Sequence, residues 1–81
     1  QRTYIDIHFE NTNLTNHEFM MKEFENCSFN HCNFSESFFN KCKFYECHFN
    51  HCNLSLMKIK GSTFFDTVFN QCKAIGINWT E

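Results

Sequence analysis

Large apolar residues recur at every fifth position along the chain: Tyr4, Phe9, Leu14, Phe19, Phe24, Phe29, Phe34, Phe39, Phe44, Phe49, Leu54, Ile59, Phe64, Phe69, Ala74 and Trp79. The positions between them are mostly Asn, Glu, Lys, His, Ser and Thr. A straight helix does not accommodate this spacing, because five residues at ~100° each carry the apolar position ~140° around the cylinder and smear it over all sides. A flat strand fails too, since an odd period alternates the residue between faces. The chain must therefore turn between repeats, bringing each fifth side chain back to a common axis. That geometry is a solenoid of short straight sides.

A second phase is equally regular. All six cysteines, Cys27, Cys32, Cys42, Cys47, Cys52 and Cys72, lie two places before a member of the apolar series. Units such as Cys32-Asn33-Phe34-Ser35-Glu36 and Cys52-Asn53-Leu54-Ser55-Leu56 result. These units resemble the pentapeptide-repeat family, whose pattern is a small residue, Asn or Asp, Leu or Phe, Ser or Thr, then any residue. The resemblance runs through essentially the whole chain. It implies an all-β fold: a right-handed, parallel, quadrilateral β-helix with four pentads per coil, so that 81 residues make about four coils.

Reading the chain in twenties gives the columns that such coils would stack. Tyr4, Phe24, Phe44 and Phe64 form one; Phe9, Phe29, Phe49 and Phe69 a second; Leu14, Phe34, Leu54 and Ala74 a third; Phe19, Phe39, Ile59 and Trp79 a fourth. At the ~4.8 Å spacing of a β ladder, rings in one column overlap in offset stacks and exclude water. The small inward positions stack as Thr12, Cys32, Cys52, Cys72 and as Ile7, Cys27, Cys47, Thr67. Cysteine suits them as a compact hydrophobe. Parallel side chains ~4.8 Å apart do not meet the geometry of a disulfide, so six reduced thiols are expected. Reduced thiols fit a cytoplasmic compartment better than a secreted scaffold. The first coil departs from the pattern with Arg2, His17 and Lys22 at the small inward phase, where a charge needs a partner or an escape to solvent. It reads as a partly capped end. Nothing comparable closes the last coil, and the chain lacks an initiator Met, so a longer parent chain is expected, with further coils or a second copy covering the open end.

Composition narrows the class. With 81 residues, 42% apolar, 20% charged, two glycines and no proline, residues 1–81 form a single domain rather than a disordered or collagen-like chain. No stretch approaches the ~18 apolar residues of a membrane span, and no export signal is recognisable. A formal charge of −2 argues against direct nucleic-acid binding.

Candidate chemistry is sparse. Cys47-His48-Phe49-Asn50-His51-Cys52 invites a zinc site, but the repeat puts both thiols inside and both imidazoles outside, too far apart for ligand bonds of ~2.0–2.3 Å to one ion. His31 and His51 share an outward phase; a trapped divalent ion or a pH-sensing pair is one reading of them, and plain solvated surface imidazoles are the expectation. No metal and no cofactor is implied. A filled rod offers no concave pocket for acid–base or nucleophilic catalysis, and neither a phosphate-binding glycine loop nor a nucleophile elbow is present, so no enzyme activity is expected. Of the sequons at Asn13, Asn26, Asn33, Asn53 and Asn78, four restate the repeat, and Asn13, Asn33 and Asn53 read as polar side chains stacked at a corner.

Function must then lie on the outer walls. The side bearing Tyr4, Phe24, Phe44 and Phe64 carries Asp6, Glu23, Glu25, Glu46 and Asp66 against Lys43, together with Ile5, Tyr45 and Phe65. The side bearing Phe19, Phe39 and Ile59 carries Lys41, Lys58 and Lys60, with Met20, Met21 and Phe38 toward one end. An aromatic pair rimmed by acids is a docking patch, and Asp6, Glu23, Glu25, Tyr45, Glu46, Phe65 and Asp66 are its candidate residues. The reading is a non-enzymatic bacterial protein-interaction module. The family resemblance adds an alternative, a DNA-mimicking, quinolone-protecting protein that binds DNA gyrase or a related topoisomerase. A third reading is a structural spacer with no specific partner. A homodimer through an open coil end is compatible with each.

Overall fold

The computed structural model describes residues 3–77. Arg2, Asn78 and Trp79, to which the sequence reading assigns a charge at the small inward phase, a sequon and an inward ring, lie outside the described residues. Ten strands of three residues each follow one another: β1 (Thr3–Ile5), β2 (His8–Glu10), β3 (Glu18–Met20), β4 (Glu23–Glu25), β5 (Ser28–Asn30), β6 (Phe38–Asn40), β7 (Lys43–Tyr45), β8 (His48–Asn50), β9 (Thr63–Phe65) and β10 (Val68–Asn70). All pairings are parallel, and each joins residues twenty apart, as in Phe24↔Phe44 and Phe29↔Phe49. Four walls result. Wall 1 is the sheet β1-β4-β7-β9, and wall 2 is β2-β5-β8-β10. Wall 3 is a run of single bridges, Asn13↔Asn33↔Asn53↔Lys73, and wall 4 is β3-β6 extended by the bridge Phe38↔Lys58. The chain is a right-handed parallel β-helix, the solenoid that the pentad spacing predicts in the form that the family resemblance implies.

The corners explain why five residues suffice for one side. Every fifth residue from Asp6 to Gly76 has φ between 51° and 80°, and thirteen of these fifteen are not glycine. Left-handed backbone costs an ordinary L-residue roughly 1–2 kcal/mol, less for Asn and Asp. Asp6, Asn11, Asn16, Asn26 and Asp66 meet that preference; Met21, Lys41 and Leu56 do not. The coil above holds them in place. The corner N–H of Asp6 donates to Glu25 O (3.0 Å), that of Met21 to Asn40 O (2.9 Å), and that of Leu56 to Ile75 O (2.9 Å). On wall 3 the corner tightens into a β-turn, with His17 N, Ser37 N and Met57 N donating to Leu14 O, Phe34 O and Leu54 O at 3.0–3.3 Å. The positive φ of Asn16, Glu36 and Leu56 falls at the third turn residue, as a type II turn requires.

Inside, rings of one column stack nearly parallel. Phe24–Phe44 and Phe44–Phe64 have centroids 4.9 and 4.7 Å apart with planes within 6°. Phe29–Phe49 lie at 4.6 Å and 13°. Neighbouring columns meet edge to face, as Phe24–Phe29 (5.6 Å, 68°) and Phe39–Phe44 (5.4 Å, 80°) do, so each ring serves both favoured aromatic geometries. Phe34, Phe39, Phe44, Phe49 and Leu54 are fully buried.

All six cysteines are free, five of them buried and Cys72 half-buried. Their inward placement agrees with the spacing, but they are more than small hydrophobes. Each thiol donates to a carbonyl twenty-three residues earlier: Cys47 Sγ to Phe24 O (3.3 Å), Cys52 Sγ to Phe29 O (3.1 Å), Cys72 Sγ to Phe49 O (3.2 Å), and likewise for Cys27, Cys32 and Cys42. Ser62 and Thr67 make the same bond through hydroxyls, to Phe39 O (2.8 Å) and Phe44 O (3.3 Å). In these three columns the position selects a small side chain with one proton to give, which accounts for Cys, Ser and Thr together; in the fourth column Ser37 bonds Phe34 O within its own turn and Met57 fills the slot without a donor.

One expectation needs correction at the last described coil. Ala74, which the repeat places inside, is exposed, because no described residue lies over it. At the first coil His17, at the small inward phase, takes the escape to solvent that the sequence reading allowed, whereas Met57 two coils later fills that phase and is buried.

Candidate interaction walls

Wall 1 gathers the residues singled out as a docking patch. The register places Lys43 directly over Glu23 and Tyr45 directly over Glu25, and then Phe65 over Tyr45. Tyr45 and Phe65 contact edge to face at 6.3 Å, with Phe65 58% exposed and Tyr45 half-buried. Ile5, 53% exposed, ends the same column below Glu25. Asp6, Glu46 and Asp66 occupy the corner between walls 1 and 2, along with Asn26, whose Nδ2 donates to Asp6 Oδ1 at 2.6 Å. The structure thus brings Glu25, Tyr45 and Phe65 into one column and sets the other acids around it. Asp6 is already engaged by Asn26.

Wall 2 holds a feature the sequence reading missed. Asn70 Nδ2 donates to Asn50 Oδ1 (3.0 Å), Asn50 Nδ2 to Asn30 Oδ1 (2.8 Å), and Asn30 Nδ2 to the Glu10 carboxylate (3.3 Å). This is an amide ladder with one polarity, ended by an anion. The ladder expected at Asn13, Asn33 and Asn53 does not form in that way. There each Oδ1 turns back to accept the amide two residues on, from Thr15 (3.1 Å), Ser35 (2.9 Å) and Ser55 (3.1 Å), and so fastens the wall 3 turn. His31 and His51 stack at 4.9 Å and 5° on the corner between walls 2 and 3. His8 Nδ1 and Ser28 Oγ are hydrogen-bonded. Cys47 and Cys52 are buried while His48 and His51 are exposed, so the wall separates the thiols from the imidazoles. Among the described residues no group of three or more His, Cys, Asp or Glu is placed to hold a metal ion.

Burial pushes the Cys47 thiol up to about 11 and that of Cys52 up to about 12, with neighbouring thiols pushing the same way and backbone hydrogen bonds pulling back. Cys42 is raised as well, again chiefly by burial. These thiols stay protonated and unreactive near neutrality.

Wall 4 presents Glu18, Phe38 and Lys58 in one column and Met20, Asn40 and Lys60 in the next. Met20 and Met21 are 52% and 48% exposed. Leu56, Val68 and Ile75 are further exposed apolar residues that the sequence reading passed over. Hollows also open on the surface of the described residues. A space of about 130 Å³ opens beneath the first coil beside Tyr4, Phe9, Thr12, Leu14 and Phe19. A groove of about 450 Å³ follows the corner of walls 3 and 4 past Glu36, Leu56, Met57, Lys58 and Ile59. No helix among the described residues is long and apolar enough to cross a membrane.

A parallel β-helix packed with its own rings, and carrying its polar and charged groups on flat walls, is a repeat scaffold. Residues 22–81 match the profile of the pentapeptide repeat region. The chain belongs to the pentapeptide-repeat family. Comparison with curated proteins returned no significant match.

Proposed function

We propose that the chain is a non-enzymatic protein-interaction module that binds a partner with a basic, partly apolar surface on wall 1. The observation that carries this reading is the Glu25–Tyr45–Phe65 column, an exposed Phe65 in contact with a half-buried Tyr45 on a rigid sheet, with carboxylates around them. Aromatic side chains held by a scaffold bind with little entropy loss, and a rim of one charge sign selects partners of the other. Reduced, buried thiols suit a reducing bacterial cytoplasm as its setting. End-to-end pairing of copies over the exposed edges of β9 and β10 is compatible with this use of wall 1.

The immobilised chain should retain a bound protein from bacterial lysate that the Tyr45→Ala/Phe65→Ala variant retains at least about tenfold less, two aromatic anchors being worth ~2 kcal/mol or more together. Equal retention by both would remove wall 1 as the site. Recovery of nothing by the wild-type chain would favour the spacer reading instead.

The spacing of the acids supports a second reading, a DNA mimic directed at DNA gyrase or a related topoisomerase. Five carboxylates against Lys43 leave wall 1 and its corner with four net negative charges. Over the ~19 Å of four coils, one strand of duplex DNA carries about 6. Gyrase supercoiling assays with and without a quinolone test it, and neither inhibition nor protection at micromolar protein would end it.

A further inference from the structure

Wall 4 is complementary to itself, and we propose that it is a docking surface for a second copy of this chain, held antiparallel about a two-fold axis laid along β6. The column of this wall nearer wall 3 reads, from the first coil upward, Glu18, Phe38, Lys58, fixed in that order by the register Glu18↔Phe38 and the bridge Phe38↔Lys58, with Phe38 half-buried. An axis along the middle strand leaves each column facing itself and inverts its order. Glu18 then meets the partner's Lys58, Phe38 meets the partner's Phe38, and Lys58 meets the partner's Glu18. The column is acid, aromatic, base, which is the arrangement an isologous contact needs.

The neighbouring column supports the same pairing. Met20 comes to face the partner's Lys60, whose methylene stem can lie over the thioether while its ammonium reaches water, and Asn40 faces its own mate, with which an amide can pair. Glu18, Lys58 and Lys60 are exposed and make no ion pair with a described residue, so their charges are available. The parallel alternative, with the axis along the solenoid, exchanges the two columns and sets Lys58 against the partner's Lys60. That repulsion selects the antiparallel arrangement. Glu36 and Lys41 occupy the flanking corners, where each meets its own mate at a solvated rim and costs little.

Size sets the strength. In a molecule of 28 × 24 × 21 Å, one wall offers on the order of 400–500 Å² per copy, and the ~800–1,000 Å² total is below the range of stable interfaces, so the dimer is a weak one.

Sedimentation equilibrium at low salt tests this. The weight-average mass should rise from that of one chain toward two between ~10 μM and ~1 mM, as a contact of this size allows. Lys58→Glu opposes Glu18 with a like charge twice per dimer and should weaken association at least tenfold; Glu18→Lys should do the same. The double swap, Glu18→Lys with Lys58→Glu, restores both attractions and should return association to within about threefold of wild type. Both positions are exposed, so circular dichroism should show all three variants folded as the parent. A monomer at every concentration, an association indifferent to the single reversals (as an end-to-end dimer would be), or a double swap that fails to restore it would each overturn the proposal.

Discussion

Replacing Phe49 with alanine is expected to lower the free energy of unfolding by about 3–5 kcal/mol, the cost of deleting a fully buried phenylalanine from a close-packed core. Phe49 has no exposed surface, stacks on Phe29 at 4.6 Å and on Phe69 at 5.1 Å, and meets the edges of Phe34 and Phe44 at 5.8 and 5.7 Å. Its deletion interrupts a column in the middle, where coils above and below cannot both collapse into the gap. Since a domain of this size is stabilised by only ~5–15 kcal/mol, a large part of the total is lost. Phe65→Ala removes an equally large ring from the outside of wall 1 and should cost no more than ~0.5–1 kcal/mol. Urea titrations of the two variants followed by far-ultraviolet circular dichroism make the comparison. Similar losses for both would contradict the division into an inner post and outer walls.

The second large effect is alkaline destabilisation. Folded thiols at about 11 for Cys47 and about 12 for Cys52 remain protonated at a pH where the unfolded chain has released those protons. A raised folded value stabilises the native state below the unfolded thiol's ordinary value near 8.5, and that advantage disappears as pH rises toward the folded value. Between pH 7.5 and 10 each of the two thiols should therefore withdraw about 1.5–2 kcal/mol, or ~3–4 kcal/mol together. Cys42 adds to this in the same direction. Lysines and tyrosines titrate in the same range, so the control is the variant Cys47→Ser/Cys52→Ser, which keeps an inward donor and loses the titration. Its stability should fall less steeply over that interval than that of the wild type. Parallel pH profiles would show the two thiols to be solvated.

The architecture was legible because one residue in five carries the hydrophobic term, and because the pattern never slips. Phe24, Phe29, Phe34 and Phe39 sit where the spacing puts them, and the cysteines sit inside with them. The reason for cysteine was only half legible. Its volume suits the slot, but the need for a proton appears only when a carbonyl of the coil below is seen opposite each sulfur, and Ser62 and Thr67 then fall into the same class. Asn columns were ambiguous for a related reason. An Asn just before the apolar residue of wall 3 has a turn amide two residues on and bends back to it, whereas one just after the apolar residue of wall 2 has only the next coil's Asn within reach. The two phases differ in the sequence, but which partner each one meets appears only in the structure. Ala74 was misplaced because periodicity assumes a coil above, and inwardness at the last described coil depends on what covers it.

Of the candidate docking patch, the sequence supplied the residues and their common side. What it left open was height. Only the register shows that Tyr45 and Phe65 touch and that Lys43 lies over Glu23, softening the acidity of the wall on one side. The same register turns Glu18, Phe38 and Lys58, unremarkable at twenty-residue intervals in the sequence, into a self-complementary column.

The inner post and the outer walls alike depend on coils of twenty residues wound in parallel around stacked rings. Nuclear Overhauser contacts between aromatic protons, with selectively labelled phenylalanine, test that geometry directly. The account predicts contacts joining rings twenty residues apart, Phe24 to Phe44 and Phe29 to Phe49, alongside those joining rings five apart. Ring contacts confined to near neighbours in sequence, with none across a twenty-residue separation, would contradict it.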